Sequence, residues 1–110
     1  MNYNVITTFR FEKEIKRLVK KYPSLKAEFT NLIHQINQFP EKGTYIGNNC
    51  YKIRLAIASK GRGKSGGARV ISYVYHLKET VYLLTIYDKK EKPDLKPNEL
   101  KEMIENLEFD

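Results

Sequence analysis

Three long cationic side chains are spaced along the middle of the sequence in a pattern suited to holding a phosphate. Lys52 and Arg54 alternate with the apolar residues Ile53 and Leu55. Because successive side chains of a strand point to opposite faces, the two cations should share one face. Arg69 opens the next strand-like run. Cations crowded on one sheet face repel each other, and a phosphate between them offsets that repulsion. We therefore predict a polyanion-binding surface.

A basic, glycine-rich loop is expected between these two strands. It carries Lys60, Arg62 and Lys64, and no acidic residue occurs between Glu41 and Glu79. The formal net charge of +7 and pI near 9.5 favour an acidic partner, whether a nucleic acid, a membrane surface or an acidic protein. Charge alone does not choose among these. The cations on the strands together with this loop favour RNA, as a surface that binds it and cuts it.

Several other chemistries are disfavoured by the same residues. Residues 58–65 fit a relaxed phosphate-loop pattern, but Gly66-Gly67 and a β-branched run follow them, so no helix can begin there to cradle a nucleotide. His34 and His76 are too few and too isolated for a metal cluster, and we expect no metal and no cofactor. The single cysteine, Cys50, excludes an intrachain disulfide and fits a reducing compartment.

The length of 110 residues and the composition predict one globular domain, residues 1–110. No apolar run approaches the roughly 20 residues that a membrane helix needs, and the N-terminus lacks a secretory signal. We expect a cytoplasmic protein that does not enter the membrane.

The elements that must position the cations are indicated by hydrophobic periodicity. Residues 3–8 predict a strand, and two helical stripes separated by Pro23 predict a helical hairpin, with Thr8 and Ser24 as N-caps. Residues 41–49 predict a loop rich in turn formers. Strand-like runs at 50–57, 69–76 and 80–87 follow, the last of them interior, and a final helix begins near Pro97. The predicted class is α+β: an N-terminal strand and helical hairpin packed on a mostly antiparallel four-stranded sheet, with a C-terminal helix.

Three segments strongly resemble the RelE/HigB branch of toxin–antitoxin toxins. They are residues 51–55 (YKIRL), 59–71 (SKGRGKSGGARVI) and 82–91 (YLLTIYDKKE). The resemblance implies a microbial-RNase-like α+β fold. It also implies an endoribonuclease that enters the ribosomal A site, next to the 16S rRNA, and cleaves the translated mRNA without a metal. A cognate antitoxin would block it.

The resemblance also implies roles for individual residues. Lys52 and Arg54 match the strand pair that contacts the scissile phosphate, and Arg69 matches the arginine thought to stabilise charge in the transition state. Lys90 lies where the family often has an arginine, and Lys89 where it has a lysine.

One departure concerns the catalytic tyrosine that RelE itself carries after this point. Asp94-Leu95-Lys96 occupies the region, so Tyr87 is the candidate substitute. Tyr73 belongs to the predicted core by its place in the strand, yet tyrosines beside cations can also stack on RNA bases, which makes it a candidate RNA contact. The loop cations are expected to grip ribosomal RNA; they are Lys60, Arg62 and Lys64.

The implied mechanism is attack of a ribose 2′-hydroxyl on the adjacent phosphorus, which leaves a 2′,3′-cyclic phosphate and a 5′-hydroxyl. Lys52 is the candidate general base, because neighbouring Arg54 and Arg69 favour a neutral lysine. Two alternatives remain at this point. One is a ParE-like gyrase poison without ribonuclease activity, and the other is a non-catalytic basic RNA-binding module.

Overall fold

The computed structural model describes residues 2–60 and 66–107. In these residues, strands and helices combine as the α+β prediction requires. The elements, in chain order, are β1 (Asn4–Thr7), α1 (Phe9–Lys21), α2 (Leu25–Gln38), β2 (Thr44–Gly47), β3 (Cys50–Leu55), β4 (Ala68–Tyr75), β5 (Thr80–Asp88) and α3 (Glu99–Glu105). Short 3₁₀ turns lie at 58–60 and 76–78.

The helical hairpin begins at the predicted cap. The Thr8 hydroxyl accepts a hydrogen bond from the Phe11 amide at 3.2 Å, which satisfies one of the free amides of the first turn of α1. Helix α1 ends at Lys21, because Tyr22 is extended ahead of Pro23. Ser24 occupies the predicted N-cap position of α2, which confirms where the helix begins. Its hydroxyl makes no capping hydrogen bond to a first-turn amide and donates to Glu28 at 3.0 Å instead.

The strands described form one sheet in the order β1-β5-β4-β3-β2. Among these strands the pairing of β1 with β5 is parallel, and the other neighbours are antiparallel. All nine residues of β5 are buried, which confirms its interior position between β1 and β4. The short connection between β4 and β5 contains Glu79 in the left-handed region, with φ +46°.

Each face of the sheet supports its own apolar cluster. The hairpin face packs the buried side of α1 and α2 against Ile53, Val70 and Ile86. The opposite face, called here the outer face, packs Met103 of α3 over Ile71 and neighbouring side chains. The alternation in β3 is confirmed, since Ile53 joins the hairpin-face core and Cys50 joins the outer face.

The sheet has one more strand than the sequence predicts. Residues 44–47, expected to be loop, form β2 and pair with β3 at the edge of the sheet. Asn48 and Asn49 both have positive φ, near +55° and +61°, and turn the chain between the two strands. The correction adds an edge strand without changing the α+β class. Within the described residues, no helix combines the length and apolar character needed to cross a membrane.

Candidate phosphate-binding and catalytic site

Strand pairing places two arginines and a tyrosine in a single row across the sheet. Arg54 of β3 lies directly opposite Arg69 of β4, and Arg69 lies directly opposite Tyr87 of β5. Directly opposed residues hold their Cβ atoms roughly 4.5–5.5 Å apart on one face. We call these three residues the cationic row. Lys52 lies two residues before Arg54 and therefore on the same face.

One end of the row is exposed to solvent and the other end is buried. Arg54 is exposed, whereas Arg69 is only 5% exposed and donates from Nη1 to the Ala68 carbonyl oxygen at 3.1 Å. Two guanidinium groups in directly opposed positions destabilise the sheet by repulsion unless an anion lies near both. The exposed end of the row therefore offers an anion the guanidinium of Arg54, backed by a second guanidinium that the sheet holds in place.

Tyr87 ends the row with an unusual hydroxyl. Its oxygen is buried and has no hydrogen-bond partner among the residues described, a state shared there only by the Ser72 hydroxyl. Burial raises the pKa of Tyr87 to about 12, with Asp94 adding to the rise and Arg69 opposing it. The hydroxyl is therefore protonated at neutral pH, and its proton is available to an oxygen that enters the site.

Lys52 is engaged by an acid beside the row. Its ammonium forms an ion pair with Asp94 at 2.9 Å, and this contact lowers the pKa of Asp94. In this arrangement Lys52 is therefore occupied by Asp94 and must be released from it before it can act on a ligand. The Asp94 carboxylate therefore occupies the position beside Lys52 that a negatively charged ligand would take. Residues 94–96, which lie where RelE carries its catalytic tyrosine, thus supply a carboxylate that pairs with Lys52.

The chain that follows β5 folds into a turn beside the row. Lys89 donates to the Pro93 carbonyl oxygen at 2.7 Å, which closes that turn. Lys90 is exposed, and its backbone amide donates to Asp88 at 2.9 Å. The Lys92 ammonium lies 5.7 Å from the centre of the Tyr87 ring. Lys92 therefore borders the buried end of the row, although sequence reasoning assigned it no role. The described contacts place the Lys90 backbone, but not its side chain, next to Asp88.

The predicted RNA contacts are not all gathered at the row. Lys60 makes a buried ion pair with Asp88 at 2.6 Å, and its side chain is 4% exposed. The structure therefore does not present Lys60 to a phosphate as the sequence prediction required. Tyr73 is half-buried against Tyr82 and lies four residues beyond Arg69, about 13 Å along β4. Arg62 and Lys64 lie outside the described residues.

Two acidic residues at the site were missed by sequence reasoning. Asp88 and Asp94 bind Lys60 and Lys52 across separations of 28 and 42 residues, which no local pattern reveals. The available signal was compositional, since Asp88 ends the interior strand and Asp94 lies in the lysine-rich segment that follows. The described residues contain no group of three or more His, Cys, Asp or Glu side chains placed to hold a metal ion.

The fold and the row define a class of small, basic α+β protein whose sheet aligns two arginines and a buried tyrosine across three strands. Residues 8–107 match the family described as the RelE toxin of the RelE/RelB toxin–antitoxin system. The chain belongs to the RelE toxin family.

Solved structures of E. coli RelE share the fold. A double arginine-to-alanine mutant in complex with an antitoxin RelBc peptide has a TM-score of 0.62 at 17% identity, covering 98% of this chain and 100% of that one. The same mutant in the free state has a TM-score of 0.59 at 19% identity, covering 84% and 90%. Isolated RelE has a TM-score of 0.56 at 16% identity, covering 94% and 96%. At these identities, the likeness establishes the architecture.

Proposed function

We propose that this toxin is an endoribonuclease that enters the ribosomal A site and cleaves the translated mRNA, thereby inhibiting translation. The observation that carries the proposal is the cationic row, in which Arg54, Arg69 and Tyr87 are directly opposed on three adjacent strands. The net charge of +7 supports an approach to ribosomal RNA and message. Membership of the RelE toxin family supports the same activity class.

The chemistry we propose begins with binding of the scissile phosphate at the exposed end of the row. Arg54 and Lys52 hold the phosphate there, and the phosphate replaces Asp94 as the partner of Lys52. Arg69, fixed by its surroundings, donates to the charge that develops on the phosphorane oxygens. Because the arginine is held in advance, little reorganisation is needed at the moment of reaction.

The reaction then moves two protons. The ribose 2′-oxygen forms a bond to phosphorus while its proton passes to a base, and the bond from phosphorus to the 5′-oxygen breaks. The products are a 2′,3′-cyclic phosphate and a 5′-hydroxyl. We propose Tyr87, protonated at neutral pH, as the group that protonates the departing 5′-oxygen, which leaves from the Arg69 side of the phosphate. Lys52 serves as the base after its ammonium, released from Asp94, has lost a proton to solvent. The nearby guanidinium groups of Arg54 and Arg69 favour that loss, and the remaining N–H groups of Lys52 still donate to the phosphate.

A cognate antitoxin is the proposed protein partner. One of the structurally similar E. coli RelE molecules is in complex with an antitoxin RelBc peptide. The row and its surrounding lysines favour an acidic segment, which binds by the same electrostatic complementarity as the phosphate. Such a segment would stop cleavage by occupying the phosphate position.

Replacement of Arg69 tests the assignment directly. Arg69→Ala should lower the rate of mRNA cleavage on programmed ribosomes by about 10²–10³-fold, as loss of one fixed donor to transition-state charge does. Arg69→Lys should restore little of this rate, because a point charge does not reproduce the planar fork. Cleavage is followed by gel, and the product ends by kinase labelling of the new 5′-hydroxyl.

The controls separate catalysis from folding. Lys16→Ala removes an exposed cation from α1, and its cleavage rate should equal that of the unchanged protein. Because Arg69 is buried, unfolding curves must show that each variant is folded at the assay temperature. A folded Arg69→Ala protein with an unchanged rate removes Arg69 from the mechanism. If the unchanged protein arrests growth but cuts no RNA, a gyrase poison becomes the better account.

A further inference from the structure

The Lys60 ammonium contacts three separate parts of the chain although it lies next to the basic loop. It donates to the Asp88 carboxylate at 2.6 Å and to the Gly66 carbonyl oxygen at 2.8 Å. It also lies 5.5 Å from the centre of the Tyr22 ring, where the negative face of the aromatic ring attracts a cation. The bond to Gly66 joins the two ends of the loop across six residues.

Asp88 receives contacts from the other side of the same junction. Its side chain is fully buried, and the Tyr22 hydroxyl donates to it at 2.5 Å while the Lys90 amide donates at 2.9 Å. Burial alone would raise the pKa of Asp88, but the hydrogen bonds from Lys60, Tyr22 and Lys90 lower it to about 2. The carboxylate is therefore ionised and paired at every physiological pH.

The end of the loop is fixed by two further contacts. A Cβ atom on Gly67 would lie 2.1 Å from the Leu55 carbonyl oxygen, so only glycine allows this close approach to the end of β3. The Gly67 carbonyl oxygen accepts a hydrogen bond from the Lys89 amide at 3.1 Å. The loop end is thus held to β3 on one side and to the end of β5 on the other.

The junction lies one residue from the cationic row. Asp88 pairs with Ala68 in the sheet, and the next pair in register is Tyr87 with Arg69. A buried charge pair at the first position therefore restrains the second. Since misplacement of a catalytic group by about 1 Å can lower a rate roughly 10²-fold, this restraint bears on the chemistry.

We infer that Lys60 and Asp88 are positioning residues for the cleavage reaction: their buried ion pair joins the ends of the basic loop to β5 and holds Arg69 and Tyr87 in register. Neither residue contacts RNA. This inference rests on the proposed ribonuclease function for its activity readout. It assigns to Lys60 a different role from the phosphate contact that the sequence suggests.

Two variants distinguish a positioning role of Lys60 from a direct contact with phosphate. Lys60→Met removes the ammonium, whereas Asp88→Asn keeps the ammonium and frees it from its partner. A positioning pair predicts that both variants lower the cleavage rate on ribosomes, each by on the order of 10²-fold. The double variant should be no slower than the slower single one, because both changes break one unit. Lys60→Arg should recover much of the rate, since it keeps a charge for Asp88.

A direct phosphate contact predicts a different result. Lys60→Met would then make ribosome binding less sensitive to salt. The plot of the logarithm of the association constant against the logarithm of salt concentration would be shallower by about one unit than for Asp88→Asn. Asp88→Asn would cleave mRNA at least as fast as the unchanged protein, because it frees the Lys60 ammonium for the phosphate. Either of these results overturns the positioning role.

Hydrogen exchange provides a readout that needs no activity. Lys60→Met should speed exchange of the Lys89 amide, which donates to Gly67, relative to amides in α2. The matched control is Lys16→Met, which should leave that exchange and the cleavage rate unchanged. If the unchanged protein cuts no RNA, the proposed function fails while this exchange still reports on the pair. Unaltered exchange in folded Lys60→Met protein overturns the inference itself.

Discussion

The hydroxyl of Tyr87 is buried at the end of the cationic row and has no hydrogen-bond partner among the residues described. A buried polar group left without a partner costs about 1–3 kcal/mol of stability. Such a cost is common at functional sites, where the partner arrives with the substrate. At the scale of single residues, Tyr87 is therefore where stability and activity are expected to oppose each other.

Tyr87→Phe should stabilise the folded protein while impairing catalysis. Removal of the unpaired hydroxyl should raise the free energy of unfolding by about 1 kcal/mol in urea titrations. Loss of the proton donor should lower the cleavage rate by about 10²–10⁴-fold. The matched control is Tyr45→Phe, which changes an exposed tyrosine on β2. A variant that is more stable and equally active would show that Tyr87 does not donate a proton.

The cations in and beside the row were predictable from the sequence, whereas the acids that pair with Lys52 and Lys60 were not. Alternation through β3 places Lys52 and Arg54 on one face, and strand pairing then sets Arg54 opposite Arg69. The burial of Lys60 depends on Asp88, which lies 28 residues away and comes near only when β5 joins the sheet. Local pattern shows that a residue is basic, whereas tertiary pairing decides whether its charge meets solvent or a buried acid.

The segment between β5 and α3 is the element that links the row to the rest of the protein. Helix α1 holds the beginning of this segment through Arg17, which contacts Glu91 at 2.6 Å, and holds the first residue of α3 through Arg10, which contacts Glu99. Held in this position, the segment brings the Asp94 carboxylate into an ion pair with Lys52. The exposed carboxylate therefore competes with any phosphate that binds at the exposed end of the row.

Asp94→Asn should strengthen binding to ribosomes. The change removes a negative charge and frees Lys52, so the affinity should rise several-fold at low salt and the difference should shrink as salt increases. Affinity is measured by equilibrium titration at several salt concentrations, with Glu105→Gln on α3 as the matched control for loss of one exposed acid. Equal affinities for Asp94→Asn and Glu105→Gln would show that Asp94 does not compete with the ligand.

At the element scale, strong periodicity was predictive and short edge elements were not. The stripes of α1 and α2 and the interior run of β5 identify these elements directly. Strand β2 has only four residues, among glycine and asparagine turn formers, and pairs on one side alone within the described sheet. Its strand conformation follows from pairing with β3 rather than from its own sequence.

The whole molecule combines a high positive charge with a few well-paired acids. Glu99 accepts hydrogen bonds from Arg10 and Lys92, and its side chain is 12% exposed. Burial raises its pKa, but these contacts and the Lys96 amide outweigh burial and lower the pKa to about 2. The pKa of Asp88 is likewise lowered to about 2 by hydrogen bonds that outweigh its burial. Both groups have a lower pKa in the folded state than the value near 4 expected when unfolded.

Stability should therefore decline as the pH falls from about 4 to about 2. A group whose pKa is lowered on folding contributes fully above its unfolded pKa, and the contribution is lost as pH falls through the folded value. For Glu99 the difference between the two pKa values corresponds to about 2–3 kcal/mol. Urea titrations of Glu99→Gln should show a free energy of unfolding that is lower at pH 7 and falls less steeply below pH 4. Parallel pH curves for Glu99→Gln and the unchanged protein would contradict this assignment.

The most direct test of the central claim is to map cleavage on one message in two forms. The toxin is induced in a bacterium, and primer extension locates cuts on a translated mRNA and on the same mRNA without its start codon. We predict cuts on the translated form alone, and none when the induced toxin carries Arg69→Ala. Equal cuts on both forms would identify a nuclease that needs no ribosome, and growth arrest without cuts on either would contradict the ribonuclease account.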